Sequence, residues 1–180
     1  MFINPQTAIK NGWITGLVNP DKQVQPNAID FTADKAWRIE SSNANKFFIS
    51  EDDKLMRSRE SFDPLLDDGQ TKYWQIPGGG MLDFLSDVFV DIPKGVAAQL
   101  VIRSSLARNG ILLMAGLYDS GFKGHIGFIL HNRHFADAFI APGTRMGQII
   151  FVETDSSGVY SGGYNHEVGT ELEYQKDGDT

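Results

Sequence analysis

The stretch Ala115-Gly-Leu-Tyr-Asp-Ser-Gly-Phe-Lys-Gly-His-Ile-Gly-Phe-Ile-Leu130 decides the fold class. Glycines bracket an aspartate between two apolar segments, which predicts a β-hairpin with Asp119 near its bend. Outward in both directions the chain keeps that texture: short runs of β-branched and aromatic residues punctuated by Gly, Pro, Asn and Asp. Upstream, strands are predicted at Ala28–Thr32, Trp37–Glu40, Lys46–Ser50, Tyr73–Ile76, Met81–Phe84, Val88–Ile92 and Ala98–Arg103. The hairpin arms fall at Leu112–Leu117 and His125–Leu130, and further strands at Ala138–Ile140 and Gly147–Glu153. Such spacing favours an all-β barrel or sandwich over a parallel α/β sheet.

Two short helices interrupt the strands. Pro5–Gly12 follows Asn4, a good cap, and ends on glycine; Ser104–Asn109 is a single turn opened by serine and closed by Gly110. Glu51–Gly69 is charged and irregular and, with strands on both sides, reads as an insertion loop and not a linker. Residues 1–180 are expected to form a single domain, with 155–180 as a flexible C-terminal segment.

With 41% hydrophobic and 22% charged residues, the 180-residue chain has the composition of an ordinary globular domain. It has no cysteine, which removes disulfides, thiol catalysis and zinc ribbons. Sixteen basic against 23 acidic residues give a net charge of −7, which argues against a nucleic-acid or anionic-membrane surface. No apolar run nears the roughly 18 residues of a membrane span. The first residues lack the basic and apolar regions of a signal peptide, so a cytoplasmic protein is expected.

Five segments carry chemistry. In Arg103-Ser-Ser-Leu-Ala-Arg108 a strand ends in arginine and two serines open a short helix, an arrangement that offers N–H groups, hydroxyls and guanidinium forks to an anion. A capping serine beside two surface arginines is the plain alternative. Asp119 is placed to act on a water, or merely to close its turn. Pro142-Gly-Thr-Arg-Met-Gly-Gln148 is a turn that brings Arg145 and Gln148 towards a ligand, and Gln25-Pro-Asn-Ala-Ile-Asp30 sets an acid among apolar neighbours, where it needs an arginine or a hydrated metal. Gly158-Val-Tyr-Ser-Gly-Gly-Tyr164 is a glycine-bearing aromatic segment able to close over a ligand or to stay a loose tail.

In this order, Gln25–Asp30, Arg103–Arg108, the Asp119 hairpin and Pro142–Gln148 resemble the motifs of the trimeric dUTPase and dCTP deaminase family. The resemblance spans residues 4 to 169 apart from 51–69; Ile92–Gln99 and Gly121–Gly124 look like the deaminase branch. It implies a distorted jelly-roll-like β-barrel of the dUTPase-like type, assembled as a homotrimer with composite sites at subunit interfaces.

The deaminases resembled here activate water, without zinc, through a glutamate on the strand after the hairpin. Ile129 stands at that place, and His125–Leu130 contains no carboxylate. General acid–base catalysis is worth roughly 10²–10⁴-fold, so a hydrocarbon there disfavours deamination, and the zinc deaminases need cysteines that this chain lacks. Hydrolysis of dUTP to dUMP and pyrophosphate with Mg²⁺ does not need that glutamate. By resemblance, Asp119 would orient or deprotonate the attacking water, while Arg103, Ser104, Ser105 and Arg108 would hold phosphates with Gln148 assisting. The backbone around Met114, Gly116 and Leu117 would read the uracil edge, Phe122 would pack on the deoxyribose, and Tyr164 would cover the base, with Tyr160 in the same closing segment. Asp30 would support the metal and its water shell or brace an arginine. Gly163 and Glu167 stand where the deaminases carry a phosphate-gripping lysine and glutamine. The alternatives are an enzyme acting on dCTP or a modified pyrimidine triphosphate, a dCTP deaminase-like enzyme, and a trimeric nucleotide-binding module without catalysis.

Overall fold

The computed structural model describes residues 1–39, 59–61, 63–67, 71–155 and 158–161. In chain order its elements are α1 (Pro5–Lys10), β1 (Ile14–Thr15), α2 (Pro20–Gln23), β2 (Ile29–Phe31), β3 (Ala33–Ile39), β4 (Arg59–Ser61), β5 (Leu65–Asp67), β6 (Thr71–Ile76) and β7 (Met81–Asp91). They continue with β8 (Val96–Ile102), α3 (Ser104–Ala107), β9 (Ile111–Met114), β10 (Leu117–Tyr118), β11 (Lys123–Asn132), β12 (Ala138–Ile140) and β13 (Gly147–Glu153). The predominance of strands expected from the sequence is what the structure has. The described helices include none long and apolar enough to cross a membrane.

Local chemistry explains the elements. In β11 the even residues Gly124, Ile126, Phe128, Leu130 and Asn132 are buried and the odd ones half-exposed, the period-two pattern of a strand covering a core. Helix α1 starts where Asn4 accepts the Gln6 N–H at 2.8 Å with Pro5 at the first helical position.

Three antiparallel sheets result. One has the order β4-β3-β7-β11-β9 with β1 also paired to β7; a second runs β10-β8-β13-β2; the third is β12-β6-β5. Between them lies an aromatic core in which Phe84 stacks on Phe128 at 5.6 Å, while Phe31 meets Phe128 and Trp74 meets Phe84 edge-on. Gly147 has no room for a side chain: a Cβ there would overlap the Phe31 ring and come within 2.9 Å of Leu113 Cδ1.

The structure departs from the sequence expectations in several places, beginning with β1 and α2, which were not expected. Met81–Phe84 and Val88–Ile92 are one strand, β7, with its register shifted around Leu85–Val88. Ser86 fills the broken ladder there: its Oγ accepts the Ile126 N–H at 3.0 Å and donates to the Val88 carbonyl at 2.9 Å. Conversely, Leu112–Leu117 is two strands, β9 pairing with β11 and β10 pairing with β8. Within 51–69, read as an irregular loop, β4 pairs with β3 and β5 pairs with β6; three-residue edge strands tolerate the polar composition that hid them. Helix α3 begins at Arg103 without a side-chain cap, so its serines are not capping residues. The strand expected at Lys46–Ser50 lies outside the described residues.

Substituting Gly147→Ala forces a methyl into packed core and is expected to destabilise the protein by about 1–3 kcal/mol. A lowered urea midpoint at unchanged slope is the measurement that shows it.

Candidate functional site

The register of β2 on β13 sets Asp30 opposite Gln148, and directly opposed residues share a face. Gln148 Nε2 donates to Asp30 Oδ1 at 2.8 Å. Arg145 donates to Oδ2 at 2.9 Å, and Arg103 Nε lies 3.1 Å from the same oxygen. Asp30 is 1% exposed, whereas the arginine side chains keep 27% and 30% of their surface in solvent. Arg145 also donates to the Lys22 carbonyl, and Arg103 to the Arg145 carbonyl at 3.4 Å. Gln23, buried on α2, completes the support: its Nε2 donates to the Asp30 carbonyl at 3.0 Å and its Oε1 accepts the Asn19 N–H at 2.6 Å.

Two guanidinium groups against one carboxylate leave a positive surplus facing outward, which suits a phosphate or carboxylate. Ser104 and Ser105 follow on α3, exposed, with Arg108 at its C-cap. Arg103, Ser104, Ser105, Arg108 and Gln148 thus share one corner of the β8–β13 sheet, together with Arg145. Of the two roles set out for Asp30, bracing arginines is the one its bonds perform. A metal's water shell would compete for oxygens that already accept three donors. No group of three His, Asp or Glu among the described residues is placed to hold a metal ion.

A second cluster surrounds Asp119. The Asp119 carbonyl accepts the Phe122 N–H at 3.1 Å, Gly121 has φ +86°, and its N–H donates to the Ile92 carbonyl at 2.8 Å. Ser120 Oγ donates to the Val96 carbonyl at 2.7 Å. The turn is anchored on all sides, and Asp119 itself is exposed. Met114, Gly116 and Leu117 are also exposed beside it. Phe122, expected to pack on a sugar, is buried: its ring meets Tyr118 at 4.9 Å and Tyr160 at 5.7 Å. It supports the turn from beneath and offers no open face. The Tyr160 N–H donates to the Ser120 carbonyl at 2.6 Å, which fastens residues 158–161 to the Asp119 turn. Tyr164, Gly163 and Glu167 lie outside the described residues.

The clusters do not meet in one chain. Leu117 pairs with Gln99 on β8, whereas Arg103 follows that strand's end, four residues on, or about 13 Å at strand rise. Gln23 escaped the sequence reading; its place three residues after Asn19-Pro20, a helix start, was the available signal.

Beside the arginine cluster, the Thr32 hydroxyl donates to half-buried Asp87. Burial pushes the Asp87 carboxyl above its ordinary 3.8, with the neighbouring Asp34 charge adding to the rise and the Thr32 hydrogen bond and His125 opposing it. Above 3.8 the unfolded chain releases this proton while the folded one still holds it, so stability falls as pH rises through that window. Asp87→Asn remains neutral and keeps an acceptor for Thr32. It is expected to flatten that fall, seen as urea midpoints of variant and wild type that diverge with rising pH.

Asp30→Ala leaves two guanidinium groups facing each other without their carboxylate, and is expected to cost about 3–5 kcal/mol. Gln148→Ala removes one bond to a charged group, about 1.5–3 kcal/mol. Equal losses for the two in denaturant unfolding would contradict the central place given to Asp30.

The mostly antiparallel architecture and the ordered site segments define a dUTPase-like fold. The chain belongs to the dCTP deaminase-like family, whose model matches residues 6–154. A probable deoxyuridine 5'-triphosphate nucleotidohydrolase of Methanothermobacter thermautotrophicus is 29% identical over 144 residues, 80% of this chain and 89% of that protein. A dUMP-forming dCTP deaminase of Bifidobacterium animalis subsp. lactis is 30% identical over 138 residues, 76% of this chain and 69% of that protein. In three dimensions the chain resembles the 2'-deoxycytidine 5'-triphosphate deaminase from Agrobacterium tumefaciens, with a TM-score of 0.59 and 17% identity. The match covers 81% of this chain and 44% of the length of that one.

Proposed function

We propose that the protein is a nucleoside triphosphate diphosphohydrolase that converts dUTP to dUMP and pyrophosphate. The observation that carries this reading is the placement of acids around the turn. Asp119 stands exposed on a turn fixed by backbone bonds, while β11 offers Ile129, a hydrocarbon, and no carboxylate from Lys123 to Asn132. Hydrolysis needs the first and not a second acid on β11.

Asp119 accepts a proton from a water, whose oxygen forms the new bond to the α-phosphorus as the bond from that phosphorus to the bridging oxygen breaks and pyrophosphate leaves. Arg103, Arg108, Ser104, Ser105 and Gln148 bind the phosphates. Phosphoryl-type transfer depends mainly on position and charge, which a pre-braced arginine pair supplies. Backbone groups from Met114 to Leu117 read the pyrimidine edge. Mg²⁺ belongs in this reading as the counter-ion of the triphosphate; no side-chain step runs through it.

A homotrimer with composite sites completes the proposal. The separation of the two clusters supports it, since a neighbouring copy would bring one chain's arginines to another's Asp119 turn. Val101, Leu112, Met114 and Leu117, apolar yet exposed, form surface that assembly would cover.

Pyrophosphate release from dUTP with Mg²⁺ tests the reading. Asp119→Asn is expected to lose at least about 10²-fold in kcat, and Arg103→Ala to weaken turnover through the phosphates. Turnover by Asp119→Asn within a few-fold of wild type would remove Asp119 from its role.

A further inference from the structure

We infer that the cleft between α2 and the turn before β13 binds a small phosphate anion, inorganic phosphate or pyrophosphate, on Arg145 and Lys22. The site is separate from the corner formed by Arg103 and α3, and it goes beyond the hydrolase reading without depending on it. The cleft has a volume of about 230 Å³, and Val18, Asn19, Lys22, Thr32 and Arg145 line it. That is room for about eight waters at roughly 30 Å³ each, enough for an anion of one or two phosphates. Arg103, Ser104, Ser105, Arg108 and Gln148 take no part in the lining.

Arg145 supplies the main argument. A guanidinium group has five N–H donors. Both side-chain bonds of Arg145, to the Asp30 carboxylate and to the Lys22 carbonyl, come from Nη1. Nε and Nη2 make no hydrogen bond among the described residues, although the side chain keeps only 30% of its surface in solvent. These two nitrogens form an edge that takes two oxygens side by side, the geometry that phosphate offers. The group is planar, so the bonds that fix Nη1 also aim the free edge. Partly desolvated donors without an acceptor are costly, and an anion in the cleft removes that cost.

Lys22 brings a second positive charge. Its backbone carbonyl is the one that holds Arg145, while its ammonium group has no ion pair among the described residues. Asn19 adds a further donor: its Oδ1 accepts the Lys22 N–H at 3.3 Å, and its Nδ2 has no partner among the described residues. The site is built of side chains, since the Lys22 and Gln23 N–H groups of α2 already donate to the Asn19 carbonyl. No acid among the described residues lines the cleft. Of the acids behind it, Asp30 is shared by two guanidinium groups, and Asp87 accepts the Thr32 hydroxyl while burial favours its neutral form.

Calorimetric titration of the full chain with pyrophosphate, and separately with inorganic phosphate, tests the site. Lys22 is exposed, so Lys22→Ala leaves the fold intact, keeps the carbonyl that orients Arg145 and removes only the ammonium group. Lys22→Ala is expected to weaken anion binding by about 10-fold, and Lys22→Arg to restore it. Arg108→Ala, in the other corner, is expected to leave this binding step unchanged. Three results overturn the inference: no binding of either anion by wild type, a loss below threefold in Lys22→Ala, or an equal loss in Arg108→Ala, which seats the anion beside α3. A wild type that binds the anion through Lys22 but releases no pyrophosphate from dUTP keeps the site and removes the hydrolase reading instead.

Discussion

Everything in the arginine corner depends on one buried carboxylate. Asp30 receives Arg103 from the end of β8, Arg145 from the turn before β13 and Gln148 from β13 itself, while Gln23 of α2 holds its backbone. Three segments, α2, the end of β8 and the turn leading into β13, are thereby fixed to β2. A buried ion pair gains little over a well-packed apolar substitute, but removing one partner from it is costly. The cluster is best understood as a device that aims two guanidinium groups and only secondarily as a source of stability.

The same economy of donors recurs in the large sheet. The register shift in β7 takes a stretch of strand out of the ladder, and the Ser86 hydroxyl substitutes for the missing carbonyl opposite Ile126. The shift also aims Asp87 at Thr32, two residues beyond Asp30. The bulge and the arginine cluster therefore adjoin through β2.

What was legible in the sequence was local. Ala138–Ile140 and Gly147–Glu153 have the predicted bounds because turns and alternation mark them on both sides. Arg103, Arg145 and Gln148 stood out for their residue types, and the structure joins them around Asp30. Pairing was not legible. Consecutive buried residues Phe84, Leu85 and Ser86 break alternation, which made β7 look like two strands. The apolar run at Leu112–Leu117 looked like one strand although its halves serve different sheets. Phe122 carries no local mark of being buried, since Tyr160, far along the chain, completes the cover that Tyr118 begins.

The anchoring of the Asp119 turn has an entropic consequence. Its backbone is bonded to Ile92 and, through the Ser120 hydroxyl, to Val96; Tyr160 in turn donates to it. Fixing a residue's backbone costs about 1–2 kcal/mol, and for this turn that cost is met when the chain folds, not when a ligand arrives. Only the two side-chain torsions of Asp119 remain to be ordered. The geometry of the turn is consequently tied to β8, whose Val96, Ala98 and Leu100 belong to the core.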